Sequence, residues 1–462
     1  MTDMTHAEAA RRDALVEVPL ASAEAAEAFA QRLRAQGVRY VRFEMPDLAG
    51  LSRGKTVPIG HLASYMRHGL NLYGGTVAMD SYQIPTRHSG YNEEVNLTDA
   101  LMAPDPASLS PVPWLPDTVR LVCDTRWYNG RAQLAHSRVV LKRVLAIAAE
   151  MGYIVKMGHE YEFYVVDLDT RQPIYGGQPI FATARTHERP EMQKLMDVLD
   201  ASGIDMITTN AEHGPGQWEL NFDALDGVAA ADRAFVFKNT VKEYLRTQGL
   251  LATFMTKPYK GLSGSCSHFH VSLTHRETGV NTFFDPADPD GMSQTMRQFI
   301  QGVLDHARAE MAMWNPTPNC YRRIRPKTYA PSNVSWGIED RSASVRVKAS
   351  RDEREHIEVR VPSALSNPYL VAAATIAAGL LGVRDKLPLM DNGTTLKEDN
   401  PMFRKLPQSL EESIAALESD TAMVEMLGAD IVKVFAATKR QELSRFADEI
   451  PPHEVAEYFE LY

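Results

Sequence analysis

The chain has 462 residues, with 49 Lys and Arg against 59 Asp and Glu, for a net charge of −10. No basic excess exists to displace counterions from phosphates, which argues against a nucleic-acid binder. Hydrophobic residues at 44% and charged residues at 23% exclude a largely disordered chain, and the length suggests about two to four domains.

Residues 1–17 read as a disordered tail. The first twenty residues mix both charges and lack an apolar run, which argues against a signal peptide. A helical pattern follows through Arg34. Val41, Phe43 and Met45 alternate with Arg42 and Glu44, predicting a strand, a turn over 46–50 and a return strand over 55–58. The segment GLSRGKT, from Gly50 to Thr56, is not a phosphate-binding loop. Three residues, not four, separate its glycines, and Val57-Pro58 follows where a helix is needed.

The Pro- and Ser-rich segment 103–116 marks a boundary, giving units of 18–115 and 116–462. Ser137 is expected to cap an amphipathic helix that carries Val140, Val144, Ile147, Ala148 and Met151 on one face and ends at Gly152. Beyond Tyr153, short alternating strands interleave with helices, an α+β pattern. The longest uncharged apolar stretch, 369–383, is shorter than the ~20 residues that span a bilayer. It reads as a buried helix with Asn367 as cap and Pro368 in the first turn, and no membrane partner is expected. Cys123, Cys266 and Cys320 are far apart and odd in number, so neither a zinc knuckle nor a disulfide framework is supported. A reducing, cytoplasmic location fits.

Five segments share one design, with polar, metal-capable residues at period two and apolar residues between them. In GHEYEFYVV, Glu160, Glu162 and Tyr164 share a face opposite Tyr161, Phe163 and Val165. At about 3.3 Å per residue the two carboxylates stand roughly 7 Å apart, which suits two neighbouring cations. In EHGPGQWELNF, Gln217, Glu219 and Asn221 share a face, and Glu212 precedes a Gly-Pro-Gly turn that can fold it back. SGSCSHFHVSL sets His268, His270 and Ser272 on one side. EDRSASVRV carries Arg341 and Arg346, and EHIEVRV carries Glu358 and Arg360. Hard oxygen ligands with few imidazoles suit Mg²⁺ or Mn²⁺. Arginines among cation-binding carboxylates suit an anionic transition state, above all phosphoryl transfer.

These segments, with NPTPNCYRRIRP and HIEVRVPSALSNPYL, resemble type I glutamine synthetase and its γ-glutamylamide-forming relatives in order and spacing, from about residue 18 to 462. The resemblance implies an N-terminal β-grasp domain, a catalytic α+β domain whose curved antiparallel sheet lines the metal site, and a homo-oligomer of twelve subunits in two stacked hexameric rings. Active sites would be shared between ring neighbours. It implies ATP-dependent activation of the L-glutamate γ-carboxylate as γ-glutamyl phosphate, then displacement of phosphate by an amine. Glu162, Glu212 and Glu219 would hold one metal ion, and Glu160, His268 and Glu358 a second. Gly264, Arg323 and Arg360 would bind glutamate, Arg341 and Arg346 the transferring phosphoryl group, and His270 and Ser272 the nucleotide. Asp47 would reach the neighbouring subunit's amine pocket.

The departures from that pattern concern the amine. Tyr329 stands before Ala330-Pro331 where ammonia-using enzymes carry a glutamate, and a phenol titrating near 10 is a poor base at neutral pH. The stretch 176–180, with Gln178, lacks the tyrosine of the ammonium pocket. Gly50 replaces a small hydroxyl residue. Metal, glutamate and phosphate positions are kept, so a larger primary amine, aromatic or bulky alkyl, is expected, with Tyr329, Gln178 and, less directly, Trp336 near it. Ordinary glutamine synthetase using ammonia is the alternative. An inactive structural relative would have shed its metal ligands, and all six are present. Ser263 and Cys266 replace a usual asparagine and glycine, and His356 an arginine. The loop 391–407 contains no tyrosine, so an adenylylation switch is not expected.

Overall fold

The computed structural model describes residues 11–177, 180–185, 189–325, 328, 330–393, 397 and 400–462. Gln178 and Tyr329 lie outside the described residues.

The N-terminal sheet is built from β1 (Tyr40–Pro46), β2 (Ser52–Pro58), β3 (Leu70–Tyr73), β4 (Asp99–Pro104), β5 (Ser110–Pro111) and β6 (Thr118–Trp127), in the order β2-β1-β6-β4-β3 with β5 beside β6. The expected hairpin forms, with Val41, Phe43 and Met45 buried and Tyr40 opposite Pro58. Gly50 takes a left-handed φ of 79° in its turn, against the backbone of Asn367, so the loop is a hairpin tip and not a phosphate cradle. β1 runs parallel to β6, and the helix Ala23–Ala35 buries Phe29 and Leu33 against the same core. β6 lies in the middle of this sheet, so the sheet continues past the proline-rich segment to residue 127 and beyond the boundary expected at 115. Val16 and Val18 are buried beside Ala103 and Val139, and Arg12 pairs with Glu425 at 3.0 Å, so the chain is anchored within the first 17 residues.

The second sheet contains β7 (Tyr153–Asp167), β8 (Met206–Ala211), β9 (Gln217–Phe222), β10 (Leu225–Asp226), β11 (Leu250–Thr253), β12 (Ser267–His275), β13 (Trp336–Ile338), β14 (Val345–Lys348) and β15 (His356–Val359). Its order is β13-β14-β15-β12-β7-β9-β8, antiparallel except for β13 with β14. The apolar face packs on helix Val228–Thr247, where Tyr161 stacks on Phe237 at 5.5 Å, and on Phe254 beyond β11, which Phe163 meets at 5.1 Å. That burial fixes the register and turns the carboxylate face of β7 outward.

The helix Pro368–Arg384 is buried through Gly382, with the Asn367 side chain accepting from the Tyr369 amide and proline in the first turn. It crosses the helix Gln294–Trp314 at Gly302, Gly379 and Gly382, where any Cβ would strike the facing helix. In helix Ser137–Glu150 the cap position belongs to His136, which makes no side-chain capping bond. Ser137 is the first helical residue, a correction to the expected cap. Among the described residues no helix is long and apolar enough to cross a membrane.

Candidate active site

Strand register assembles the site. β7 is the hub: Glu160 lies opposite His268 of β12 and Asn221 of β9, and Glu162 lies opposite Glu219. One strand further, His270 faces Glu358 of β15, which faces Arg346 of β14. Neighbouring strands are about 4.8 Å apart, so residues scattered over 200 positions of sequence become lateral neighbours on one wet face. Glu212 joins through the turn after β8: its amide donates to the Gln217 carbonyl at 2.9 Å, and Asn210 Nδ2 donates to its Oε1 at 2.9 Å.

The two halves of this face differ in charge balance. On one side Glu160 accepts from His268 Nδ1 at 2.9 Å and contacts His270 Nε2 at 3.4 Å. Glu358 accepts from Arg346 at 3.1 Å and is paired with Arg360. Burial opposes ionisation of both carboxyls. His268 and His270 outweigh it for Glu160, holding it well below the usual carboxylate range. His268, Arg360 and His270 bring Glu358 down to about 2. On the other side burial and mutual repulsion dominate. Burial and neighbouring Glu212 push Glu162 up to about 7, and burial with Glu160, Glu162 and Glu212 pushes Glu219 up to about 9. Glu212 is raised as well, mainly by burial. Three facing carboxylates, whose burial and repulsion Arg323 offsets only in part, form a site that a cation would relieve.

Among the described residues, ligand atoms converge in two groups, each within 4.8 Å: Glu160, His268 and Glu358, and Glu162, Cys266 and His268. The carboxylate-rich donor set fits Mg²⁺ or Mn²⁺. A cavity of about 740 Å³ opens over this face, lined by Glu162, Glu212, Glu219 and His268 on its floor and by Arg323, Arg341 and Arg360 on its wall. Arg323 is fixed by donating to the carbonyls of Val361 at 2.8 Å and Arg360 at 3.0 Å. Gly264 lies so close that a Cβ would sit 3.0 Å from the Thr256 carbonyl and 3.1 Å from Arg323 Cδ, which explains the glycine there.

Arg346 sits outside the cavity lining, bound to Glu339 and Glu358. His270 meets His356 at 3.1 Å, and Ser272 is buried further along β12. Asp47 does not line this cavity. Its Oδ1 accepts from the amides of Ala49 (3.0 Å) and Leu51 (2.9 Å), and its Oδ2 from Arg53 (2.8 Å). Trp336 also lies off the cavity and donates its indole N–H to the Met390 carbonyl at 2.8 Å. Gln217, which the period-two pattern puts on the wet face without a role, reaches Glu162 at 3.2 Å and the Gly264 carbonyl at 3.0 Å through its Nε2. Ile180, the last residue of the stretch 176–180, lines the cavity beside Glu212, as does Phe181, which the sequence did not single out. Gln217 was visible in the period-two pattern, but nothing in one strand reveals what lies across it.

Paired carboxylate sets on one sheet face, with arginines on the facing wall, suit divalent ions and a transferring phosphoryl group, as an ATP-dependent ligase requires. Residues 134–458 match the family model described as glutamine synthetase, catalytic domain, and the chain belongs to that family. It is 31% identical to a glutamine synthetase of Halobacterium salinarum over 93% of this chain and 95% of that protein. It is 30% identical to a glutamate–isopropylamine ligase of a Pseudomonas species over 91% and 95%. A solved structure of apo GmaS superimposes with a TM-score of 0.84 at 29% identity, covering 93% of this chain and 99% of that one.

Proposed function

We propose that this enzyme joins the γ-carboxylate of L-glutamate to an organic primary amine at the expense of ATP, releasing ADP and phosphate. The observation that carries this reading is the loop 321–331. Its Arg323, Thr328 and Ala330 line the cavity, yet it holds no carboxylate, and Tyr329 occupies the position where ammonia users carry glutamate. Ile180 and Phe181 beside Glu212 add apolar surface that an alkyl or aryl substituent would cover. Both an ammonia-using and an isopropylamine-using relative stand at about the same similarity, so sequence distance alone does not choose.

In this reading Glu162, Glu212 and Glu219 hold one divalent ion, and Glu160, His268 and Glu358 another. Divalent ions held there would supply positive charge against the phosphates. Arg323, Arg360 and the close backbone at Gly264 hold glutamate. Arg341 and Arg346 offset charge on the moving phosphoryl group, and His270 and Ser272 contact the nucleotide. The γ-carboxylate oxygen attacks the terminal phosphorus of ATP and ADP leaves. The amine nitrogen then attacks the γ-carbon, phosphate leaves, and one proton passes to a base. Glu212, or Asp47 of a neighbouring subunit, takes that proton from an alkylamine. An aniline arrives neutral and makes less demand on either group.

Phosphate release with purified protein, ATP, Mg²⁺ and L-glutamate tests this. The panel holds ammonium, methylamine, ethanolamine, isopropylamine, putrescine and aniline, with product masses checked. Turnover with an organic amine well above that with ammonium is expected. Turnover with ammonium alone overturns the reading and makes the chain a glutamine synthetase.

A further inference from the structure

Cys266 occupies a position where the family pattern has glycine, and it is the one cysteine at the carboxylate face. It is nearly buried, yet its side chain lines the cavity. Its thiol lies 2.9 Å from Glu162 Oε1 and 3.0 Å from His268 Nε2, and its amide donates to Glu162 Oε2 at 3.1 Å. Sulfur, nitrogen and oxygen thus point at one another from three sides. In a tetrahedral zinc site, bonds of about 2.0–2.3 Å place such ligand pairs about 3.5 Å apart. Opening this triad by about half an ångström would admit the ion.

His268 stands between two ligand sets of different softness. Its Nδ1 faces the carboxylates Glu160 and Glu358, at 2.9 and 3.3 Å, a hard oxygen set. Its Nε2 faces the Cys266 sulfur. A glycine at 266 would leave that second nitrogen facing no soft donor.

We propose that Glu162, Cys266 and His268 Nε2 form a binding site for a soft divalent cation of the zinc type, which shares Glu162 and His268 with the sets that suit Mg²⁺ and Mn²⁺ and differs from them by its sulfur ligand. Binding forms a metal–sulfur bond and releases the thiol proton to solvent. The proposal is independent of which amine the enzyme uses.

The test uses the full-length protein freed of metal by chelation, with Co²⁺ alone as the optical probe and Zn²⁺ as competitor. The parent chain is expected to show a sulfur-to-cobalt charge-transfer band in the near ultraviolet, which equimolar Zn²⁺ abolishes. In Cys266→Ser and Cys266→Gly the band should be lost, and Zn²⁺ affinity should fall by at least about tenfold. Affinity for Mn²⁺, read by electron paramagnetic resonance, should change less than about threefold, since oxygen ligands carry it. Two variants guard against a folding failure in either, and glycine suits the family backbone at this position. A parent chain without the band, or Zn²⁺ affinity unchanged in a folded variant, overturns the proposal.

Discussion

On the proposed function, Tyr329 is the residue on which the choice of amine turns. Exchange for glutamate would return a carboxylate to the loop that carries Thr328 and Ala330 along the cavity. That carboxylate supplies both attraction for an ammonium ion and a base for its proton. Tyr329→Glu is therefore expected to raise kcat/KM for ammonium by about 100-fold, the lower end of what a positioned general base contributes. It should move the ratio of the two values away from organic amines, whose binding needs no carboxylate that recognises a bare ammonium ion. Steady-state phosphate release over the two substrates measures both, and an unchanged ratio would place selectivity elsewhere. The carboxylate face was legible in the sequence because a strand displays its chemistry at period two: Glu162, Glu219 and Glu358 each sit between buried apolar neighbours, and Glu160 between buried His159 and Tyr161. The parts played by Gln217 and Cys266 were not legible. Both depend on what lies across the strand, and cross-strand register is a property of pairing rather than of any one segment.

At the scale of elements, a buried ion network ties the first unit to the second. Arg138, on helix Ser137–Glu150, is fully buried and pairs with Asp124 of β6 at 2.9 Å, Asp105 at 2.7 Å and Asp232 of helix Val228–Thr247 at 2.8 Å. Tyr369 donates to the same Asp232 at 2.6 Å. Burial alone would raise the Asp124 carboxyl, but Arg138 and Lys142 beside it bring it down to about 2. Arg138→Met keeps the volume and strands three carboxylates around an apolar side chain. It should cost about 3–5 kcal/mol, the range for breaking one partner of a buried pair, read as a lower urea midpoint with unchanged slope. A loss below about 1 kcal/mol would mean that water reaches the site. The same elements show where local reading stops. The proline-rich segment 103–116 is real punctuation, yet β6 follows it and returns to the first sheet by pairing with β1, about 78 residues earlier in the register of Tyr40 with Thr118. Composition marks breaks in the chain and carries no information on such distant pairing. The buried helix Pro368–Arg384 was legible because its signals, an Asn cap, a Pro and an unbroken apolar run, are all local.

The whole molecule carries two opposed pH responses. Glu162, Glu212 and Glu219 have folded values above the ordinary carboxylate value of 4.5, from burial and from one another. Their contribution is fully present below about 4.5 and is lost as pH rises through about 7 and about 9. His136, His159 and His356 are depressed by burial to about 4, 3 and 4. Their contribution is present above 6.5 and is lost as pH falls toward those values. Chelated protein is therefore expected to be most stable near pH 6.5 and to lose melting temperature toward pH 9, and added Mn²⁺ should flatten the alkaline limb. A melting temperature that holds level to pH 9 without metal would show that the three carboxyls are better solvated than their burial indicates. The same molecular scale decides the part played by Asp47. Its Oδ1 closes the hairpin turn through Ala49 and Leu51, Arg53 holds Oδ2, and Asn367 donates to its carbonyl at 3.0 Å, all away from this chain's own cavity. Such a residue acts on chemistry only if the hairpin tip meets a neighbouring subunit in a head-to-tail ring. Asp47→Asn keeps the turn bonds to Oδ1 and removes the charge, while Glu212→Gln disables the cavity side. Each variant alone should be nearly inactive. Mixed at equal amounts under conditions that exchange subunits, about one interface in four pairs an intact cavity with an intact Asp47, so about a quarter of parental activity should return. If Asp47 served its own chain instead, no mixture would restore anything, because every subunit would still carry one disabling change.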